Sequence, residues 1–200
     1  MNKKTIILVR HGESSANRER IIAGQSDSDL TRLGVKQARR AAVYIKARFS
    51  PVDIVYSSPL KRARSTAQPI ARRLKAPIIE DHLLQEADFG AWEGLGKIDL
   101  QSTPQWTKYA KNPFFFQIPG GESFQDVKKR VEEFRQMMDA KNDWNTAVVV
   151  THYTPVVFFI LGVLGNGDAS KAPFKIDNAS LSVIEKIEAS EYIRVLNALP

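Results

Sequence analysis

The sequence has no cysteine, only three histidines, and no apolar stretch long enough to span a membrane. Lack of cysteine excludes disulfides, thiolate nucleophiles and the usual cysteine-based zinc sites. The longest apolar runs, such as VVFFILGVLG from Val156 to Gly165, stop well short of the roughly 20 residues a transmembrane helix requires. The opening MNKKTIILVRHGE is too short in its apolar part for a secretory signal, so a cytoplasmic protein is expected. There is no low-complexity tract and no internal repeat of solenoid period.

What remains is the balance of one soluble globular domain: 200 residues, 43% hydrophobic and 26% charged. A formal charge of +7, from 29 Lys and Arg against 22 Asp and Glu, favours anionic partners by long-range steering. Lys36, Arg39, Arg40, Lys46 and Arg48 are spread along one helical pattern without interleaved aromatics, as on a solvated basic face. Neither a nucleic acid nor a membrane is therefore expected as partner.

The periodicity alternates between two types. TIILV from Thr5 to Val9 reads as a buried strand; Val35, Ala38, Ala42, Ile45 and Phe49 form one face of a helix over 31–49 capped by Thr31. DIVYSS at 53–58 is a second strand. Pro59 opens a further helix with Leu60, Ala63, Ala67, Ile70 and Leu74 on its apolar side. A short strand APII follows, and later a helical stripe (Phe124, Val127, Val131, Phe134, Met138) leads into the strand TAVVVT at 146–151. SLSVIEKIE and YIRVLN alternate as two strands joined around Ala189 and Ser190. Strands alternating with helices predict an α/β fold: a single-domain three-layer sandwich with a mostly parallel sheet, helices on both faces and an antiparallel edge. Residues 81–121, with Trp92, Trp106, Phe114 to Phe116 and three prolines, lack periodicity and read as a cap over the C-terminal ends of the strands.

The chemistry gathers at strand ends. One strand delivers Arg10 and His11 into RHGES, another delivers Thr151 and His152, and Arg62 lies just inside a helix that follows a third. In open α/β sheets ligands sit outside the carboxyl ends of the strands, so both imidazoles and both guanidinium groups are expected to face one crevice. A planar cation grips an anion bidentately, a neutral imidazole attacks phosphorus, and a helix start favours phosphate. Taken singly, each residue has a plainer reading: a histidine at a strand end is often structural, and arginines at a helix start are usually surface charges. Their equivalent topological placement is what points to phosphate. His82 has no such context and reads as a loop residue. Gly12 is expected to permit a sharp turn.

The motifs RHGES, SSPLKRARSTA, EADFGAWEGL, PGGES and VVVTH together resemble the histidine phosphatase superfamily, the phosphoglycerate mutase-like proteins, from about Ile6 to Ser182. The resemblance implies that His11 becomes phosphorylated, that Arg10, Arg62 and His152 surround the phosphoryl oxygens, that Glu86 is the proton donor and that Asn17 lies near the phosphate. Read from the residues alone, Glu86 stands among Glu80, Asp81, Asp88 and Glu93 and could belong to a solvated acidic loop. To donate near neutral pH its pKa must lie above that of a free carboxyl, which burial under the aromatics Phe89 and Trp92 could achieve. Glu13, Ser14 and Ser58 are subsidiary, with turn and cap roles as alternatives. Family members commonly place Gly after the second His, where this chain has Tyr153; that side chain either narrows the crevice and touches substrate or packs away.

Short length and FGAWEG resemble the phosphatase branch. The expected function is a metal-independent phosphomonoesterase with no cofactor, acting on a small phosphorylated metabolite, with Trp92 and Tyr153 as candidate substrate contacts. A phosphoglycerate mutase and a non-catalytic phosphate-binding module are the alternatives. Homodimerisation is left open.

Overall fold

The computed structural model describes residues 3–165 and 172–200. Its centre is a six-stranded sheet in the order β3-β2-β4-β1-β5-β6, comprising β1 (Lys3–Arg10), β2 (Ile54–Ser57), β3 (Ile78–Glu80), β4 (Thr146–Thr151), β5 (Leu181–Ile187) and β6 (Ser190–Ala198). β1 and β4 are central and apolar on both faces, which is why they read as continuous hydrophobic runs rather than as alternation. They pair in parallel, with Val9 beside Val150 and Arg10 beside Thr151. β2 joins β4 in parallel with Ser57 beside Val150. Three strands thus end at one level, and the residues that follow them share one edge. The β5–β6 hairpin is antiparallel and forms the expected edge.

Helices cover both faces. α2 (Arg32–Phe49) and α3 (Lys61–Leu74) pack over Ile7, Val9, Val55, Val148 and Val150. α6 (Phe124–Ala140) and α7 (Tyr153–Val163) pack over Ile6, Leu8, Tyr56 and Val149. Successive residues of β1 therefore serve opposite layers, as pleating requires. Thr31 caps α2 as its sequence predicts, its hydroxyl accepting from the Gly34 amide at 3.0 Å. α3 begins two residues beyond Pro59, with Leu60 at its cap. Neither α2 nor α3 contains an acidic residue, and Arg32, Lys36, Arg39, Arg40, Arg72 and Arg73 are all exposed there, so this layer carries much of the basic excess. Among the described residues no helix is long and apolar enough to cross a membrane.

Residues 81–121 are more ordered than their lack of periodicity predicts. They contain α4 (Lys97–Gln101) and α5 (Pro104–Lys111). α5 is started by Pro104 at its first turn and by Thr103, whose hydroxyl accepts from the Trp106 amide at 3.2 Å. Helices this short bury too few residues to show a period. Instead they close a small core of their own around Trp92, Leu100 and Ile118, flanked by Trp106, Tyr109 and Phe116. α1 (Ser15–Glu19), a single capped turn after β1, also lacks a periodic signal.

Candidate active site

β1 ends at Arg10, and His11 follows with its amide donating to the Thr151 carbonyl at 2.9 Å. The loop after β1 is locked by Gly12, whose amide donates to Thr66 Oγ1 on α3 at 3.0 Å. The need for glycine here is close approach rather than a left-handed turn: a Cβ on Gly12 would lie 2.6 Å from the Gly34 carbonyl oxygen.

His11 is buried, and its Nδ1 lies 2.7 Å from the Gly12 carbonyl oxygen. A carbonyl can only accept, so Nδ1 carries the proton and Nε2 presents its lone pair. Burial, reinforced by the positive charges of Arg62 and Arg10, holds this imidazole well below its usual pKa. The ring is thus kept neutral, with the Nε2 lone pair uncommitted. His152, at the junction of β4 and α7, is fully buried, and its ring centroid lies 5.1 Å from that of His11. Its Nε2 lies 2.8 Å from Ser58 Oγ, which also accepts from the Leu60 amide. No other acceptor for the serine hydroxyl is present among the described residues, so donation from Oγ to Nε2, with the proton of His152 on Nδ1, is the arrangement that satisfies it. Burial first, then Arg62 and His11, pushes the His152 pKa down as well.

Arg62 is among the largest buried side chains of the chain. Its guanidinium donates to the carbonyls of Ser26, at 2.8 Å, and Gly24, at 2.5 Å. That loop is in turn shaped by Glu93, whose carboxylate accepts from the amides of Gln25 and Ser26 at 2.7 and 2.9 Å. Arg10 donates to the Ile176 carbonyl at 2.6 Å, and its guanidinium carbon lies 5.5 Å from the centre of the Tyr153 ring. Burial lowers the pKa of both guanidinium groups, and Glu86 is the leading charge that opposes the shift in each. Arginine stays charged regardless. Two nitrogens, Arg10 Nε and His152 Nδ1, are buried with no hydrogen-bond partner among the described residues.

Glu86 stands at the N-terminus of α7. Its carboxylate accepts from the amides of Ala87, Tyr153 and Thr154 at 2.9, 3.1 and 3.2 Å. Tyr153, 39% exposed, projects over Arg10 rather than packing away. Tyr109 approaches the same region: burial, with Glu86 and Tyr153 adding to it, pushes its phenol up to about 12. Asn17 is held by its Oδ1, which accepts from the Ser14 amide and from Asn178 Nδ2; the latter also donates to the His11 carbonyl. The Asn17 amide nitrogen is thereby turned away from its own anchor.

The sequence-derived set of Arg10, His11, Arg62, Glu86 and His152 is brought together at one edge of the sheet. Trp92 is not brought with them. Only 3% exposed and stacked on Phe116 with centroids 5.7 Å apart, it belongs to the small core of residues 81–121, so the expected contact with substrate is replaced by packing. Nor does it wall off Glu86, which polar amides surround instead. His82 is exposed beside Gln85. Glu13 braces the start of α2 through the Thr31 hydroxyl at 2.6 Å. Asn178 and Gln25 carry no signal in the sequence, and Thr66 and Glu93, though inside the motifs SSPLKRARSTA and EADFGAWEGL, do not disclose these roles there, because each works through a segment remote along the chain. Among the described residues no group of acidic and histidine side chains could hold a metal ion.

A mostly parallel sheet whose strand ends present two buried imidazoles, the buried Arg62 and the half-buried Arg10 has the charge and shape to hold an anion. The family comparison agrees: residues 6–198 match the model of the histidine phosphatase superfamily (branch 1), and the chain belongs to that superfamily. It is 35% identical over 195 residues to phosphoserine phosphatase 1 of Hydrogenobacter thermophilus, covering 96% of this chain and 91% of that protein. It is 34% identical over 194 residues to the bifunctional protein Rv2228c of Mycobacterium tuberculosis, covering 96% of this chain but 53% of that longer protein. Among solved structures, a putative α-ribazole-5'-P phosphatase of Escherichia coli superposes with a TM-score of 0.89 at 27% identity, covering 98% of this chain and 96% of that one.

Proposed function

We propose that this chain is a phosphomonoesterase that hydrolyses small phosphorylated metabolites through a phosphohistidine on His11. In the first step His11 Nε2 attacks phosphorus in line with the leaving oxygen. The P–O bond breaks, and Glu86, which takes up a proton when the anionic ester lies beside it rather than from burial under aromatics, gives that proton to the departing alcohol. In the second step Glu86 takes a proton from water, the water oxygen attacks phosphorus, and the P–N bond breaks to release phosphate and the neutral imidazole. Arg10, Arg62 and His152 Nδ1–H donate to the phosphoryl oxygens, where negative charge spreads in the transition state. Asn17 adds a neutral donor.

One observation carries this reading. Arg10 Nε and His152 Nδ1 are buried donors without a partner, beside a histidine whose Nε2 is unprotonated. A buried unmet donor costs about 1–3 kcal/mol, and a phosphoryl group whose oxygens reached both would satisfy them. The residues need no metal to supply charge, since two guanidinium groups already do. The phosphatase names of the relatives support hydrolysis over transfer. They name different substrates, so the leaving group is selected outside the shared pocket, by residues such as Tyr153, whose ring lies over Arg10, and Tyr109.

Release of phosphate from p-nitrophenyl phosphate, with His11→Ala as the blank, tests the proposal. Turnover in the wild type, lost by at least about a hundredfold in the variant and unchanged by EDTA, supports it. Binding without release contradicts it, as does a strict requirement for Mg²⁺. Isomerisation of phosphoglycerate dependent on a phosphorylated primer would identify a mutase instead.

A further inference from the structure

The motif PGGES takes no part in the chemistry above, yet its Glu122 pairs with Arg130, the most heavily bonded cation among the described residues. Glu122 of that motif and Arg130 of α6 form a fork-to-fork pair, with Nε at 2.9 Å from Oε1 and Nη2 at 3.0 Å from Oε2. The other N–H groups of the guanidinium reach backbone carbonyls: Nη1 donates to Leu83 at 2.9 Å and Gln85 at 2.6 Å, and Nη2 to Glu86 at 2.9 Å. All five donors are thereby used, three of them on the four residues that end at Glu86.

Glu122 holds the other side of the same segment. Its Oε2 accepts from the Asp88 amide at 2.9 Å, and its own amide donates to the Asp88 carbonyl at 2.9 Å. The preceding glycine makes this possible, since a Cβ on Gly121 would lie 2.3 Å from the Asp88 oxygen. Arg130 itself is fixed from below by its helix, where Val127 and Val131 are buried and Ser123 forms a capping box with Asp126. Residues 85–88 have no regular structure of their own, so their dihedral angles are set by these contacts.

We propose that Arg130 and Glu122 are positioning residues for the proton donor: they clamp the backbone on both sides of Glu86 and so aim its carboxylate at the leaving oxygen. The inference rests on the assignment of Glu86 as donor. Misplacement of a reacting group by about 1 Å can cost on the order of a hundredfold in rate. A lysine, with three donors on one point, cannot reproduce the planar fork.

The test compares kcat/KM on p-nitrophenyl phosphate, whose leaving group departs without a proton, with kcat/KM on β-glycerophosphate, whose alkoxide requires one. Glu86→Gln serves as the reference, and Arg130→Lys and Glu122→Gln are the probes. The expected result is that both probes lose at least about tenfold more on the alkyl ester than on the aryl ester, the same kind of loss as Glu86→Gln. Partial unfolding lowers both rates by one factor and leaves their ratio unchanged, so the ratio separates positioning from stability. Equal losses on the two esters, or no loss, in the probes while Glu86→Gln shows the difference overturns the clamp alone. Absence of the difference in Glu86→Gln overturns the donor assignment and the clamp with it. Probes that both fail to fold assign the pair to folding and also overturn the proposal.

Discussion

The imidazoles of His11 and His152 face each other with centroids 5.1 Å apart and planes inclined at 60°. Two rings this close at neutral pH tolerate each other only because neither is charged. Their tautomers are fixed by different partners, the Gly12 carbonyl for one and the Ser58 hydroxyl for the other. The pair thereby offers a lone pair from one ring and an N–H from the other.

That arrangement makes stability depend on pH. Burial lowers both pKa values in the folded protein below the ordinary 6.5, whereas in the unfolded chain both titrate near that value. Below it the unfolded state binds more protons, so stability falls as pH falls, by about 1.4 kcal/mol per pH unit for each histidine until its folded pKa is reached. Melting temperature should decline from about pH 6.5 downward, and His11→Asn should decline less steeply than the wild type. Identical slopes in the two proteins would count against the neutral, buried assignment.

Ser58 is expected to matter through His152. Ser58→Ala removes the hydroxyl that fixes the ring's tautomer, at a typical net value of about 1 kcal/mol for one hydrogen bond. Steady-state kinetics should show kcat/KM down by roughly five- to tenfold. An unchanged kcat/KM would mean that the tautomer is fixed by something else.

Tyr153 stands where the superfamily commonly has glycine, and its ring lies over Arg10. Tyr153→Gly removes the ring available to stack on an aryl leaving group, a contact worth about 0.5–1.5 kcal/mol, so KM for aryl phosphates should rise roughly two- to tenfold while KM for small alkyl phosphates stays close to the wild-type value. A uniform change across both substrate types would remove Tyr153 from substrate selection.

Much of this was legible in the sequence because the main elements bury long apolar faces. TIILV and TAVVVT are strands, and Thr31 stands at a helix start, for reasons that act within a few residues. Arg10, His11 and His152 were legible by their place after such strands, Arg62 by its place at a helix start. Glu86 became legible only through the family pattern, since its surroundings are made by α7 and Arg130, 44 or more residues away along the chain. For the same reason Glu93, although inside the same motif, did not reveal that its carboxylate shapes the loop that holds Arg62. Trp92 looked like a substrate contact because an aromatic in an aperiodic stretch has two uses, and composition does not distinguish packing from binding. α4 and α5 escaped because they are shorter than the window in which a helical period can be seen.

The most direct measurement is a rapid acid-free quench of the protein during turnover of a ³²P-labelled phosphomonoester, followed by mapping of the label. The account predicts phosphate on the Nε2 of His11, stable in alkali, released in acid and missing from His11→Ala. Label on a serine or at any other position, or steady turnover with no phosphoprotein formed, contradicts it.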